Sequence, residues 1–272
     1  MRLTAAVHNS IIKQKARKIR AGFGGKQKMK VLAIGNSFSN DAMRYLHNIA
    51  KAEGCDMKTV NIYIGGCPLS KHYMNMNNDA ADYDFEYNGD RTGIKVSIRQ
   101  ALQSDIWDVV TFQQVSSQSV DYETYTPYLG ALAEYAAYHA PKAKFMIHQT
   151  WAYEQGSERL THEMGYGDQS EMFRDLKAAY EKAAEELGGV QIIPSGEAFQ
   201  ELIKAGAPRI HRDTFHASLG LGRYTLGLVW YETLTGKSCL NNSFADFDVP
   251  VSPEEAELAK RCAHIAAGRY AK

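Results

Sequence analysis

The chain has 272 residues, enough to bury a full core as one large α/β domain or two small ones. Its 31 basic and 31 acidic residues balance to a formal net charge of zero, which argues against a dedicated nucleic-acid binder with its basic face. An apolar fraction of 44% with 23% charged residues is ordinary for a globular protein, and no apolar run reaches the roughly 18 to 20 residues needed to cross a bilayer.

The first 28 residues carry Arg2, Lys13, Lys15, Arg17, Lys18, Arg20, Lys26 and Lys28 and no acid. They lack the apolar core of a secretory signal. They have some look of a transit peptide, but the preferred expectation is a basic leader outside the fold (1–28), with Met29 opening a folded domain that runs over 29–272. Cys55, Cys67, Cys239 and Cys262 form no CxxC pair and are expected as free, mostly buried thiols. A reducing, cytoplasmic location follows as the expectation.

From Met29 onward, short apolar runs alternate with helical patterns. Strands are predicted over Lys30–Gly35, Thr59–Ile64, Asp108–Phe112, Lys144–Thr150 and Val190–Pro194. Helices are predicted over Asp41–Glu53, Glu123–His139, Glu171–Leu187 and Leu221–Thr235. A last one begins at Ser252-Pro253-Glu254-Glu255, a capping-box start. The alternation implies βαβ units: a three-layer, flavodoxin-like α/β fold with a five-stranded, mainly parallel sheet covered on both faces. The crossover rule then gathers the strand C-termini along one edge, where ligands bind. The stretch Leu69–Gly93 interrupts the pattern. Tyr83, Phe85 and Tyr87 alternate with acids ahead of Asn88-Gly89, a hairpin signal, so it is either a surface hairpin packed on the domain or a flap beside the ligand edge.

Four groups carry chemistry, three of them after strand ends at that edge and one well downstream, before the late helices. Gly35-Asn36-Ser37-Phe38-Ser39 follows the first strand and precedes a helix. Ser37 there is equally a nucleophile, its N–H placed to stabilise a developing oxyanion, or a helix cap. Gly65-Gly66-Cys67 follows the second strand, where glycine allows either a tight turn or close backbone approach to a ligand. Gln113-Gln114 follows the third strand, as polar loop or as side-chain donors to an oxyanion. Asp213-Thr214-Phe215-His216 brings a carboxylate and a base to one turn. It can equally be a helix cap beside an ordinary histidine, but a serine hydroxyl needs such a base and the base needs such an orienting group. Asn36 and Trp151 are the candidate substrate contacts, Trp151 serving alternatively as core or rim packing. His47, His72, His148, His162 and His211 show no metal-ligand spacing, and no metal or organic cofactor is expected. No phosphate loop is present, and Gly220-Leu221-Gly222 does not follow a first strand, which leaves a nucleotide-binding reading without its motif.

All four groups, in this order, resemble the blocks of the SGNH (GDSL-like) hydrolases. The segments GNSFS, WDVVTFQQVSSQS, HQTWAY and HASLGLGRYTLGLVWYETLTG resemble in particular a bacterial SGNH-like subfamily known as a domain of unknown function. The resemblance implies a serine esterase with Ser37 as nucleophile, His216 as base and Asp213 as its orienting carboxylate. The N–H groups of Ser37 and Gly66 would form the oxyanion hole. The usual third block supplies an asparagine, absent between Val109 and Ser119; by similarity to the sialate and xylan acetylesterase branch, Gln113, with Gln114 next, would replace it. A small acyl ester, an O-acetyl group on a carbohydrate, is the implied substrate, the Leu69–Gly93 aromatics and Trp151 being available to stack on sugar. Because that block is altered, the alternative is a domain that kept the fold as a carbohydrate-binding or interaction module and lost the activity.

Overall fold

The structure, a computed structural model, describes residues 28–271, so the expected leader lies outside the described residues apart from Lys28. Its strands are β1 (Met29–Gly35), β2 (Met57–Tyr63), β3 (Tyr83–Tyr87), β4 (Asp90–Val96), β5 (Val109–Phe112), β6 (Lys144–Gln149) and β7 (Gln191–Pro194). They form one seven-stranded sheet in the order β4-β3-β2-β1-β5-β6-β7. The pairs β1–β2, β1–β5, β5–β6 and β6–β7 are parallel; β2–β3 and β3–β4 are antiparallel. Helices are α1 (Ser37–Met43), α2 (Leu46–Ala52), α3 (Leu69–Asn78), α4 (Ile98–Gln103), α5 (Tyr128–His139), α6 (Gln169–Glu186), α7 (Ser195–Lys204), α8 (Leu221–Thr235) and α9 (Pro253–Arg269).

The parallel strands read as unbroken apolar runs because both of their faces are covered. In β1, Val31 and Ala33 join a core with α1, α2, α7, α8 and α9, whereas Leu32 and Ile34 join the core on the other face with α3 to α6. Helix α8 is buried along nearly its whole length, since it lies between α2, α7 and α9. Helix α9 starts on the expected capping box at Ser252 and Glu255. Among the described residues no helix is long and apolar enough to cross a membrane. The four cysteines are unpaired, three of them buried and Cys55 partly so.

Two expectations are corrected. The helix predicted over Asp41–Glu53 is two helices, and the first begins at Ser37. Asn36 sets that start: its backbone is extended and its side chain accepts from the Phe38 N–H at 3.1 Å. The sheet has seven strands rather than five, because the Tyr83–Val96 hairpin joins it edge-on. The hairpin is no flap. Tyr63, at the ligand end of β2, faces Asp84, while Val60, farther back, faces Tyr87, so the Asn88-Gly89 turn points away from the ligand edge.

A buried acid anchors this hairpin. Glu86 is 3% exposed and accepts from Asn40 Nδ2 at 2.6 Å and Asn61 Nδ2 at 2.8 Å. Asn61 in turn accepts from Ser39 Oγ, which ties the hairpin to α1. Burial raises the Glu86 carboxyl above its ordinary range against the pull of these hydrogen bonds. Glu86→Ala leaves two amides without acceptors and should destabilise the protein by about 1–3 kcal/mol in urea unfolding. A loss below about 0.5 kcal/mol, as at an ordinary surface site, would mean that the hairpin is only loosely attached.

Candidate active site

Strand register lines up the chemistry. Gly35 faces Tyr63, and the pairing continues with Ile64 N–H donating to the Gly35 carbonyl, so Gly65-Gly66 comes level with Asn36-Ser37. Ile34 faces Phe112 and Phe112 faces Ile147, which brings Gln113 and His148 into the same row. The row lies where the chain switches from one side of β1 to the other, the usual place for a ligand in such a sheet.

Ser37 opens α1 and is half-buried. Its Oγ lies 2.8 Å from His216 Nε2, and His216 Nδ1 lies 2.8 Å from Asp213 Oδ2. A carboxylate can only accept, so Nδ1 carries the proton and Nε2 is left to accept from the Ser37 hydroxyl. Asp213 Oδ1 also accepts the His216 backbone N–H at 2.9 Å. Burial alone would raise the Asp213 carboxyl. The hydrogen bonds from the His216 ring and backbone, with the His216 and Arg212 charges, outweigh it and hold the carboxyl below its ordinary value.

The loop bearing this pair is held from several sides. It is closed by the Arg212 N–H to the His216 carbonyl at 3.0 Å and by bridge pairing of His211 with Ala217. Between the acid and the base, Thr214 has φ +72°, a left-handed conformation that costs a β-branched residue about 1–3 kcal/mol. Its carbonyl accepts from the Glu154 N–H at 2.8 Å, and the Phe215 carbonyl accepts from Trp151 Nε1 at 2.7 Å.

The remaining expected residues fall into two groups. Gly66 is exposed with φ +63°, and its turn is tied to the serine by Asn36 Nδ2 donating to the Cys67 carbonyl at 3.2 Å. The N–H groups of Ser37 and Gly66 donate to no other group among the described residues. Asn36, Trp151, Gln113 and Gln114 are corrected. Asn36 is 1% exposed, and its Oδ1 accepts from both Phe38 N–H and Gln113 Nε2; it is a cap and bracket, not a substrate contact. Trp151 is fully buried and stacks on Phe38 at 4.1 Å and on Phe199 at 4.9 Å, so no face is open to a sugar. Gln113 donates to Asn36 at 2.7 Å while its Oε1 meets His148 Nδ1 at 2.7 Å. Gln114 accepts from the Leu69 and Val115 N–H groups and donates to Thr124. Both glutamine amides are thus buried and bonded at both ends inside the protein, where open donors to an oxyanion were expected. Of the hairpin aromatics, Tyr83 is fully buried and Tyr87 lies near the turn, away from the ligand edge.

Residues outside the expected set complete the site. His148 Nε2 meets Ser195 Oγ at 3.0 Å, so a buried polar line runs from Asn36 through Gln113 and His148 to Ser195. Asp41, fully buried on α1, pairs with Arg212 and Arg223. The available signal for Asp41 was an acid one helical turn after Ser37, next to the apolar pair Ala42-Met43. Nothing local marked His148, whose strand alternation alone cannot tell a core histidine from a ligand. Among the described residues no group of three or more His, Cys, Asp or Glu is placed to hold a metal.

This arrangement, a serine after the first parallel strand facing a histidine–aspartate pair on a late loop, sits on the fold of the SGNH hydrolases. The chain belongs to the domain-of-unknown-function family DUF4886, whose model matches residues 30–266. A DUF4886 family protein from Bacteroides uniformis ATCC 8492 is 34% identical with a TM-score of 0.82, covering 88% of this chain and 95% of its own. A protein described as an SGNH hydrolase from Slackia heliotrinireducens is 24% identical with a TM-score of 0.55, covering 76% of this chain and 100% of its own. One described as a GDSL-like lipase from Parabacteroides merdae ATCC 43184 is 15% identical with a TM-score of 0.52, covering 75% and 94%. The last two share the fold. No curated protein matches the chain.

Burial of the neighbouring histidines has a measurable consequence. It lowers His72 and His148 to about 3 and His211 to about 4, the last against a hydrogen bond to the Ala152 carbonyl and the Asp213 charge. Below about pH 6.5 the unfolded chain takes up protons on these rings that the folded one does not. Their stabilising effect is therefore present above pH 6.5 and lost as the pH falls toward 4. Each contributes up to about 1.4 kcal/mol per pH unit. Urea midpoints should fall steadily from pH 6.5 to 4 and fall less steeply in His148→Gln. Midpoints that stay level across this window would mean that the rings are accessible to protons.

Proposed function

We propose that this protein is a serine ester hydrolase that forms an acyl-enzyme at Ser37. The observation that carries the reading is the unbroken hydrogen-bonded line from Asp213 through His216 to Ser37 Oγ, together with the Ser37 and Gly66 backbone N–H groups, which have no acceptor among the described residues. In the proposed reaction His216 Nε2 takes the hydroxyl proton as Ser37 Oγ attacks the ester carbonyl. Asp213 fixes the ring tautomer and stabilises the imidazolium. The N–H groups of Ser37 and Gly66 receive the oxyanion, each such donor being worth roughly 2.7–4 kcal/mol at the transition state. His216 then protonates the departing alkoxide. Water, deprotonated by the same nitrogen, attacks the acyl-enzyme, releases the acid and restores Ser37. Every step uses side chains and backbone groups of this chain.

The acyl group is proposed to be small. Support comes from packing: Phe38 and Trp151, flanking the nucleophile, are 1% and 0% exposed and stacked on each other, so they present no apolar surface to a long chain. An O-acetyl group on a carbohydrate remains the proposed natural ester. With Trp151 and Tyr83 buried and Tyr87 near the far turn, none of these three rings is available to stack on the sugar.

Wild-type protein should hydrolyse p-nitrophenyl acetate faster than the octanoate and release acetate from acetylated xylan. Ser37→Ala should lower kcat/KM by at least about 10³-fold while leaving the fold intact. Equal rates in the two proteins would remove Ser37 from the mechanism and favour a binding module on this fold.

A further inference from the structure

Asp41 lies four residues after Ser37, so one turn of α1 places both on the same side of the helix. Its carboxylate is fully buried and accepts four hydrogen bonds. Arg212 Nη1 reaches Oδ1 at 2.9 Å and Oδ2 at 2.8 Å, Arg223 Nε reaches Oδ1 at 2.9 Å, and the Ala217 N–H reaches Oδ2 at 3.1 Å. Arg212 Nη1 also donates to the Ala217 carbonyl. Arg212 and Ala217 directly flank residues 213–216, so the base-bearing loop is fastened at both ends to the helix that carries the nucleophile.

We propose that Asp41 is a positioning residue that sets the distance between Ser37 and His216 and keeps Arg212 from hydrogen-bonding to Asp213. Its catalytic consequence rests on the function proposed above. Two features argue for this role over plain packing. First, a buried carboxylate is costly unless fully paired, and an apolar side chain would fill a helix–loop contact without that cost. Here the charge is retained and matched by two guanidinium groups. Second, Arg212 Nε stands 3.9 Å from Asp213 Oδ2, just beyond hydrogen-bond reach, while its Nη1 is committed to Asp41. Released from Asp41, the guanidinium can fork onto Asp213 and compete with the His216 Nδ1–H for the same carboxylate. The other charges at this junction do not substitute for Asp41. Arg223 also pairs with Asp248 through Nη1, and Asp248 is shared with Arg44, which is itself paired with Asp90.

The test is Asp41→Asn, read by p-nitrophenyl acetate kinetics and by the downfield proton resonance of the His216 Nδ1–H, which reports its bond to Asp213 without requiring turnover. The inference predicts kcat lower by about 10²-fold with KM little changed, as expected for a misplaced base. It also predicts an acid limb of kcat/KM displaced to lower pH and an upfield move of the resonance, both because Arg212 now neutralises Asp213. Adding Arg212→Ala to Asp41→Asn should return the acid limb and the resonance to their wild-type positions without restoring kcat, an outcome that general loosening would not give. Wild-type kcat, acid limb and resonance in Asp41→Asn would overturn the proposal. Should Asp41→Asn fail to fold, Arg212→Gln removes two of the four bonds, and the proposal requires at least about a tenfold fall in kcat; full kcat would overturn it. Were the wild-type protein to hydrolyse no ester, the hydrolase reading would fail by itself, and the resonance would decide the clamp: displaced in Asp41→Asn it stands, unmoved it falls.

Discussion

The site depends on one contact between residues 179 positions apart, the 2.8 Å approach of Ser37 Oγ to His216 Nε2. A single hydrogen bond of this kind contributes a net of roughly 0.5–1.5 kcal/mol. That is no more than the cost of holding Thr214 in a left-handed conformation beside it. The contact therefore cannot organise the loop that makes it. It is the result of bracing elsewhere: Trp151 and Glu154 hold the loop from β6, and Asp41 holds it from α1. Rigidity comes first, and the reactive geometry follows from it.

The same logic applies under the nucleophile. Asn36, Gln113, His148 and Ser195 form a buried hydrogen-bonded line across the ends of β1, β5, β6 and β7. Because burial keeps His148 neutral, Gln113 Oε1 receives its Nδ1–H and His148 Nε2 receives the Ser195 hydroxyl. The orientation of each amide is thereby fixed, and with it the orientation of Asn36. Asn36 starts α1 through Oδ1 and holds the Gly65–Cys67 turn through Nδ2. One side chain thus sets the position of both backbone N–H groups at the proposed oxyanion site. The polar groups after β5 thus bond to the residues that hold the serine and the glycine turn.

Much of this was legible in the residues. The parallel strands declared themselves as apolar runs, α8 was read with both of its ends, and Ser252 with Glu255 announced α9. Ser37 and Gly66 were readable at one edge, since strand ends in a parallel sheet must meet there; Asp213 and His216, on a loop between two helices, were readable only from the base that a serine nucleophile needs and from the resemblance. What was not legible is direction. Gln113, Gln114, Asn36 and Trp151 have side chains suited to ligands, but nothing in their spacing tells whether they point out of the edge or into the sheet. Helix α3 escaped notice because Ser70, Lys71, Asn75, Asn77 and Asn78 dilute its apolar pattern; only Leu69, His72, Asn75 and Met76 are buried. The hairpin was recognised as a hairpin, yet its place in the sheet depends on Glu86 meeting Asn40 and Asn61, partners 46 and 25 residues away.

The central claim is that Ser37 carries the acyl group. The direct measurement is acid quenching of the wild-type protein during turnover of p-nitrophenyl acetate, followed by digestion and mass spectrometry. The account predicts a single acetyl group on the peptide that begins the first helix, at Ser37, and none in Ser37→Ala. Steady turnover with Ser37 unmodified, or acetylation at another residue that persists in Ser37→Ala, would contradict it.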